Sequence, residues 1–206
     1  MSTTITSRDR LIDILSLSYL GDLLRERLGD DAESYVWPDD FEKAVADIGF
    51  SAVSVRGQSS PYDELIVIGN GLELLPRCPP NGANASQYKS VRFIAFNGTK
   101  IPQNVFNRQN TLQNFVIPTG VTTVETAAFQ DCTALASIIF PNTLTSLSSS
   151  AFKGCTKLAS VSLPDSVNTV YASCFYNCTD LKSASLPGLT AVNDSLFSGC
   201  TNLETV

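Results

Sequence analysis

The sequence predicts an α+β fold, in which a solenoid of stacked parallel strands follows a small helical N-terminal module. The first observation is a motif, Phe-x-x-Cys-Thr-x-Leu, that begins at Phe129, Phe152, Phe175 and Phe197. Its cysteines are 23, 23 and 22 residues apart, at Cys132, Cys155, Cys178 and Cys200. A fixed period of this length is typical of a solenoid, in which each repeat forms one coil that stacks on the next.

The second observation is a change in charge along the chain. Residues 1–60 contain 11 acidic and 6 basic residues, whereas residues 111–206 contain only 6 and 3. This contrast predicts three segments: a helical cap or docking module in residues 1–60, a hairpin and loop in residues 61–89, and the solenoid in residues 90–206.

Two helices are predicted in the N-terminal module. Thr6 or Ser7 can cap a helix that continues to about Leu28, and a second helix begins near Pro38 and ends before Gly49. Apolar residues of the first helix recur at steps of three and four and form one stripe. Its candidate docking residues are Leu11, Leu15, Tyr19 and Leu23. The stripe either covers the open end of the solenoid or serves as a docking or oligomerising surface; its mixed charge argues against binding to a membrane surface.

The segment 61–89 is predicted to begin with a β-hairpin. The strand 64–68 is followed by Gly69-Asn70-Gly71 and then by the apolar run 72–75, a pattern that favours two strands joined by a tight turn. A strand leading into Gly-x-Gly also occurs in dinucleotide-binding folds, but Leu74 stands where the third glycine is needed. We therefore expect no cofactor here. Residues 77–87 are rich in Pro, Gly and Asn and are predicted to form a loop.

Each repeat is predicted to contain a short strand followed by a turn. In one repeat, Val161 and Leu163 alternate with serines, which is the pattern of a half-buried strand. Pro164 then ends the strand, because proline has no N–H for the ladder. Prolines recur at the same place in Pro118, Pro141, Pro164 and Pro187. Stacking would turn the motif phenylalanines into one continuous core column.

These repeats resemble the BspA-like class of leucine-rich repeats. The residues that carry the resemblance are the Ala-Phe-x-x-Cys-x-x-Leu corner, Ala151 to Leu158, and the Leu-Pro strand end at Leu163 and Pro164. The resemblance covers residues 111–206, and a degenerate copy with Gln109 in place of the cysteine precedes it. It implies a leucine-rich-repeat solenoid that presents an interaction surface for proteins or host molecules.

The cysteines of the motif are predicted to be buried free thiols. Stacked coils bring their Cα atoms within disulfide range, but like side chains in a stack point the same way, which makes the bridge geometry poor. Cys174 is expected in the core as well, and Cys78 is the one candidate for an exposed thiol. A metal site is not expected, since a 23-residue spacing forms no local chelate.

Composition argues against several classes of function. The net charge is −6, and no cluster of Lys or Arg suggests contact with nucleic acid. Histidine is absent, so the commonest general base and the Ser-His pair are missing, and an enzyme is the least favoured class. No apolar run is long enough to span a membrane. Since no signal peptide is visible, a cytoplasmic or virion-associated location is favoured over secretion.

The strand residues that point outward form the candidate binding face. They are Asn114, Val116, Ser137, Ile139, Ser160, Ser162, Ser183 and Ser185. Small hydroxyls predominate, and such a face can hydrogen-bond to a protein or a glycan. The alternative is a solvated sheet with no ligand.

Two functions remain open at this stage. The first is a non-enzymatic interaction protein that recognises, or adheres to, a protein or glycan partner. The second is a structural component of a phage or prophage particle, such as a tail or head-decoration protein, that docks or forms a homo-oligomer through residues 1–60. The last repeat stops at Val206 with its strand only begun. Either a partner covers this end, or more chain follows it in a longer parent protein, or the last coil frays; we favour an end covered by self-association or a partner.

Overall fold

The computed structural model describes six stretches of the chain. They are residues 52–56, 62–69, 71–74, 87–94, 96–189 and 195–206. The two predicted N-terminal helices, with the docking residues Leu11, Leu15, Tyr19 and Leu23, lie outside them, as do Cys78 and most of the predicted loop. The division of the chain into three segments stays a prediction.

The first sheet has three strands in the order β1–β2–β3. These are β1 (Ala52–Arg56), β2 (Tyr62–Ile68) and β3 (Tyr88–Ile94); β2 pairs antiparallel with β1 and parallel with β3. From Leu65 to Ile68 every residue of β2 is buried, as is usual for the central strand of a covered sheet.

The predicted hairpin between residues 64–68 and 72–75 is wrong. Gly71–Leu74 is a one-turn 3₁₀ helix, and the antiparallel partner of β2 is β1, which precedes it in the chain. Both edges of β2 are occupied, so no edge remains for a following strand. Leu72 is instead fully buried in the hydrophobic core, and that burial is better served by a tight turn than by an exposed edge strand.

The solenoid has two columns of parallel strands. In the first column, two-residue strands form one four-stranded sheet: β4 (Lys100–Ile101), β6 (Thr123–Val124), β8 (Ser146–Leu147) and β10 (Thr169–Val170). In the second column, three-residue strands form the pairs β5–β7 and β9–β11: β5 (Asn114–Val116), β7 (Ser137–Ile139), β9 (Ser160–Ser162) and β11 (Ser183–Ser185).

Register confirms the solenoid. Asn114 pairs with Ser137 and Thr123 with Ser146, and both pairs lie 23 residues apart, one repeat along the chain. The described residues contain strands, turns and one 3₁₀ helix but no α-helix. The parallel-strand part of the predicted fold is therefore present, and its helical part falls outside the residues described.

The motif phenylalanines form the predicted core column. Successive rings stack at centroid distances of 5.2, 5.2, 5.6 and 5.7 Å along Phe106, Phe129, Phe152, Phe175 and Phe197. Phe106 belongs to the degenerate first copy, so that copy completes the stack. In the same copy, Gln109 replaces the cysteine; it is fully buried, and its side-chain oxygen accepts the backbone N–H of Tyr88 at 3.0 Å.

The turn around each phenylalanine is built from left-handed residues. The residue two positions after the ring has positive φ in Arg108, Asp131, Gly154, Asn177 and Gly199. At Gly154 a Cβ would meet the carboxylate oxygen Oδ1 of Asp131 from the preceding coil. The glycine therefore provides both the backbone conformation and the space for its neighbour's side chain.

The motif cysteines are free thiols, as predicted, and each one also makes a hydrogen bond. Each Sγ donates to the carbonyl oxygen of a phenylalanine in the preceding coil, at 3.0–3.3 Å, in Cys132, Cys155, Cys178 and Cys200. The first three are buried, and Cys200 is half-buried. Burial raises the pKa of the Cys132 and Cys174 thiols to about 12, which keeps them protonated and able to donate.

Candidate functional site

The second strand column places all eight predicted face residues on the outside of the solenoid. In β5 and β9 the pattern is exposed, buried, exposed, with Phe115 and Val161 directed into the core. Seven of the eight side chains are exposed and Ser183 is half-buried. We call this surface the outer strand face; it comprises Asn114, Val116, Ser137, Ile139, Ser160, Ser162, Ser183 and Ser185. Its role in binding remains a prediction.

Two large apolar side chains stand next to each other on this face. Val116 is 58% exposed and Ile139 is 60% exposed, and the two residues are paired in register across β5 and β7. The corresponding positions in β9 and β11 are Ser162 and Ser185. Since serine serves the same strand position in the next coils, folding does not require an apolar residue there. The fold therefore does not require this apolar pair, and the two side chains are available for a contact surface.

Asn114 and Ser137 form the polar end of this face, at the start of β5 and β7. Ser137 Oγ donates a 2.7 Å hydrogen bond to Asn114 Oδ1. This bond fixes the amide orientation and leaves the Asn114 Nδ2 hydrogens directed away from Ser137. The apolar pair and the amide thus lie at opposite ends of the same two strands.

A shallow groove lies beside Asn114, at the corner where the chain enters the strands. Its volume is about 440 Å³, and we call it the corner groove; it is lined by Gln113, Asn114, Thr133, Ala134, Ala136 and Lys157. Two of the lining residues, Ala134 and Ala136, are small, and one repeat later Lys157 takes the place of Ala134. No acidic side chain lines the groove.

Lys157 forms one wall of the corner groove and carries its charge. Its Nζ donates to Asp180 Oδ2 at 3.1 Å, with the two side chains 65% and 43% exposed. An ion pair at this exposure is worth little and exchanges readily. The ammonium also has two further N–H groups to offer.

Sequence reasoning found the outer strand face but missed the corner groove. The available signal was weak: a single alanine, Ala134, where the next two repeats carry Lys157 and Asp180. Only the stacking of coils shows that Lys157 and Gln113, 44 residues apart in the numbering of the chain, approach the same space.

The described part of the chain contains neither a metal-binding cluster nor a membrane-spanning helix. There, no group of three or more His, Cys, Asp or Glu side chains could hold a metal ion, and no helix is long and apolar enough to cross a membrane. Burial raises the pKa of the Cys132, Cys155 and Cys174 thiols, which makes these three poor nucleophiles.

The 23-residue coils, the parallel strand columns and the buried phenylalanine and leucine positions define a leucine-rich-repeat solenoid. The family model for the BspA type leucine rich repeat region matches residues 99–206 with six copies. The chain belongs to this family, as its sequence resemblance implied.

Solved structures of similar proteins agree with this fold. The T. pallidum leucine rich repeat protein TpLRR is 27% identical, with a TM-score of 0.55 over 72% of this chain and 76% of its own. A leucine rich cell surface protein from Faecalibacterium prausnitzii A2-165 is 24% identical, with a TM-score of 0.52 over 74% of this chain. This chain spans only 37% of that second protein. No curated protein sequence matches the chain. Neither structural relative is described as a virion protein, so the comparisons add no support to that prediction.

Proposed function

We propose that this protein is a non-enzymatic recognition protein whose outer strand face binds a protein partner. The observation that carries the proposal is the apolar pair, Val116 and Ile139, exposed in register within an otherwise polar face. Membership of the leucine-rich-repeat family supports a role in protein contacts.

A protein partner is favoured over a glycan by the chemistry of the face. None of its eight side chains is aromatic or charged. Sugar rings are commonly held by stacking on aromatic faces together with charged hydrogen-bonding groups, and neither is offered here. Two aliphatic side chains flanked by hydroxyls suit a peptide segment, which can bury an aliphatic side chain and hydrogen-bond at its edges.

Rigidity also suits the face to recognition. The strands are held by inter-coil backbone bonds such as Ile117 N–H to the Ile139 carbonyl, at 2.9 Å, and by the stacked rings behind them. A surface that is already ordered loses little conformational entropy when it binds.

The proposal is tested by replacing Ile139 and measuring how the affinity for selected peptides changes. Peptides are selected from a displayed random library on the full 206-residue chain, and their affinities are then measured for Ile139→Asp and for the control Tyr171→Asp. Tyr171 is also exposed, at 54%, but lies just after β10 in the other strand column. We expect at least tenfold weaker binding to Ile139→Asp, because a charge replaces the apolar contact, and unchanged binding to Tyr171→Asp.

Thermal unfolding of both variants checks that the fold is kept. If the selected ligands bind Ile139→Asp as well as they bind the unaltered chain, the outer strand face is not the recognition surface. The proposal also fails if a glycan array yields specific ligands and the peptide library yields none.

A further inference from the structure

We propose that the corner groove and the apolar pair together recognise an extended peptide segment in which a carboxylate lies two residues from an aliphatic side chain. This inference rests on the proposed function and specifies the chemistry of its partner. The carboxylate can belong to an Asp or Glu side chain or to the C-terminus of the partner, and the test below separates these sources.

The first argument is the hydrogen-bonding character of the corner groove. Its polar lining offers donors: the Lys157 ammonium, the Asn114 amide, and the side-chain amide of Gln113. The Asn114 oxygen is occupied by Ser137 Oγ at 2.7 Å, so the amide presents its N–H groups to a ligand. A site with several donors, one of them cationic, and no lining carboxylate is complementary to an anion.

The second argument is the distance between the two contact points. Asn114 borders the groove at the start of β5, and Val116 ends that strand two residues later. Two residues of strand span about 6.6 Å. A ligand in extended conformation covers the same distance between residues i and i+2, whose side chains point to the same side.

The third argument is the position of Lys157. Its present partner, Asp180, comes from the next coil and leaves the Lys157 side chain 65% exposed at the groove wall. A carboxylate placed in the groove would meet this ammonium together with the side-chain amides of Gln113 and Asn114. The bound ligand would therefore compete with Asp180 for Lys157.

The experiment uses two displayed libraries on the full chain, one with internal random peptides and one with random free C-termini. We expect tenfold or greater enrichment of an aliphatic residue two positions from Asp or Glu in the first library, or from the terminal carboxylate in the second. The library that is enriched identifies the source of the carboxylate.

Variants then test the groove with the selected peptides. Lys157→Met should weaken binding by about twofold to fivefold, the contribution expected of an exposed ion pair. Lys153→Met removes a charge in the turn that carries Phe152 and should leave the affinity unchanged. Ala136→Phe fills the groove and should abolish binding, while Ala159→Phe, the same position one coil later, should not. Asp180→Asn frees Lys157 and should strengthen binding about twofold.

The outcomes separate this inference from the proposed function. Suppose that the selected peptides require Ile139 but show no preference for acidic residues, and that Lys157→Met and Asp180→Asn do not change their affinity. The role of the corner groove would then be refuted, whereas binding to the outer strand face would still be supported. Peptides that bind independently of both Ile139 and Lys157 would refute both. The gain expected for Asp180→Asn cannot arise from a misfolded variant.

Discussion

Single residues hold this solenoid together by repeating the same contact in every coil. Phe152 is fully buried and stacks on Phe129 at 5.2 Å and on Phe175 at 5.6 Å, with interplanar angles of 8° and 7°. Phe197 has a ring neighbour only on one side in the described chain, Phe175 at 5.7 Å, and is half-buried. The two rings are chemically identical, so they isolate the effect of position in the column.

Replacing Phe152 with alanine should lower the free energy of unfolding by about 3–5 kcal/mol, through lost apolar burial and the cavity left between two rings. Phe197→Ala should cost clearly less, since its ring is only partly removed from water. Urea unfolding of both variants measures the difference. Equal losses would mean that neither the deeper burial of Phe152 nor its second ring neighbour adds to stability.

Repeat spacing predicted this column from sequence, but not the residues that bend the chain around it. Of the left-handed positions two residues after each ring, only Gly154 and Gly199 carry the residue that signals positive φ. Asp131 and Asn177 adopt the same conformation, which aspartate and asparagine tolerate better than most residues. Arg108 adopts it against its local preference, in a turn where its backbone N–H donates to the Gln130 carbonyl of the next coil at 2.7 Å. The sequence of a single repeat does not show the contacts between coils, so the left-handed turn residues could not all be predicted from it.

At the scale of elements, the cysteine corner and the strands differ in how well sequence predicts them. Burial of the thiols was predicted from their period. Their hydrogen bonds were not, because a small apolar residue explains the same pattern. The hairpin error has a similar origin: an Asn-Gly turn between apolar runs is a local signal, whereas the partners of β2, namely β1 and β3, are set by the whole sheet.

Because the motif cysteines are buried, the free energy of unfolding should decrease as the pH rises into the alkaline range. Burial raises the pKa of Cys132 from an ordinary 9.0 to about 12, so the unfolded thiol loses its proton at lower pH than the folded one. The stability tied to this proton is complete below pH 9 and is lost as the pH rises towards 12, by about 1.4 kcal/mol per pH unit for each such thiol.

This dependence is measured by urea unfolding between about pH 8 and about pH 11, on both sides of the ordinary thiol pKa of 9.0, in the presence of a reductant. The Cys132→Ala variant is the matched control, because it keeps every tyrosine and lysine that also titrates there. We expect its stability to fall less steeply with pH than that of the unaltered chain. Parallel slopes would show that Cys132 ionises equally in the folded and unfolded states.

The outer strand face could be predicted from the local sequence pattern, whereas the corner groove beside it could not. Alternation of residues in each strand predicted which side chains point outward, because the period of a strand is two. The corner groove could not be predicted, since it needs Gln113, Ala136 and Lys157 from three successive coils. A site made between coils becomes visible only after the register of 23 residues is known.

For the molecule as a whole, stacking restricts contacts to neighbouring coils, so a local change should spread over a limited distance. In this architecture the stability of each coil depends on its own contacts and those of the two coils beside it. Hydrogen exchange of backbone amides reports that stability coil by coil. The inter-coil bonds give suitable probes, such as Phe129 N–H to the Ala151 carbonyl at 2.8 Å and Phe152 N–H to the Cys174 carbonyl at 2.9 Å.

In the Phe152→Ala variant, amide exchange should accelerate most in the coils that contain Phe129, residue 152 and Phe175, and least in β2 and β3. The reason is that β2 and β3 lie beyond Phe106, two rings from the substitution. Ile139→Asp serves as the control, since its side chain faces solvent and should leave the exchange pattern unchanged. If Phe152→Ala instead accelerates exchange equally from β2 to residue 206, the described chain unfolds as one cooperative unit. In that case, a destabilising substitution anywhere in the stack would also disrupt the geometry of the outer strand face.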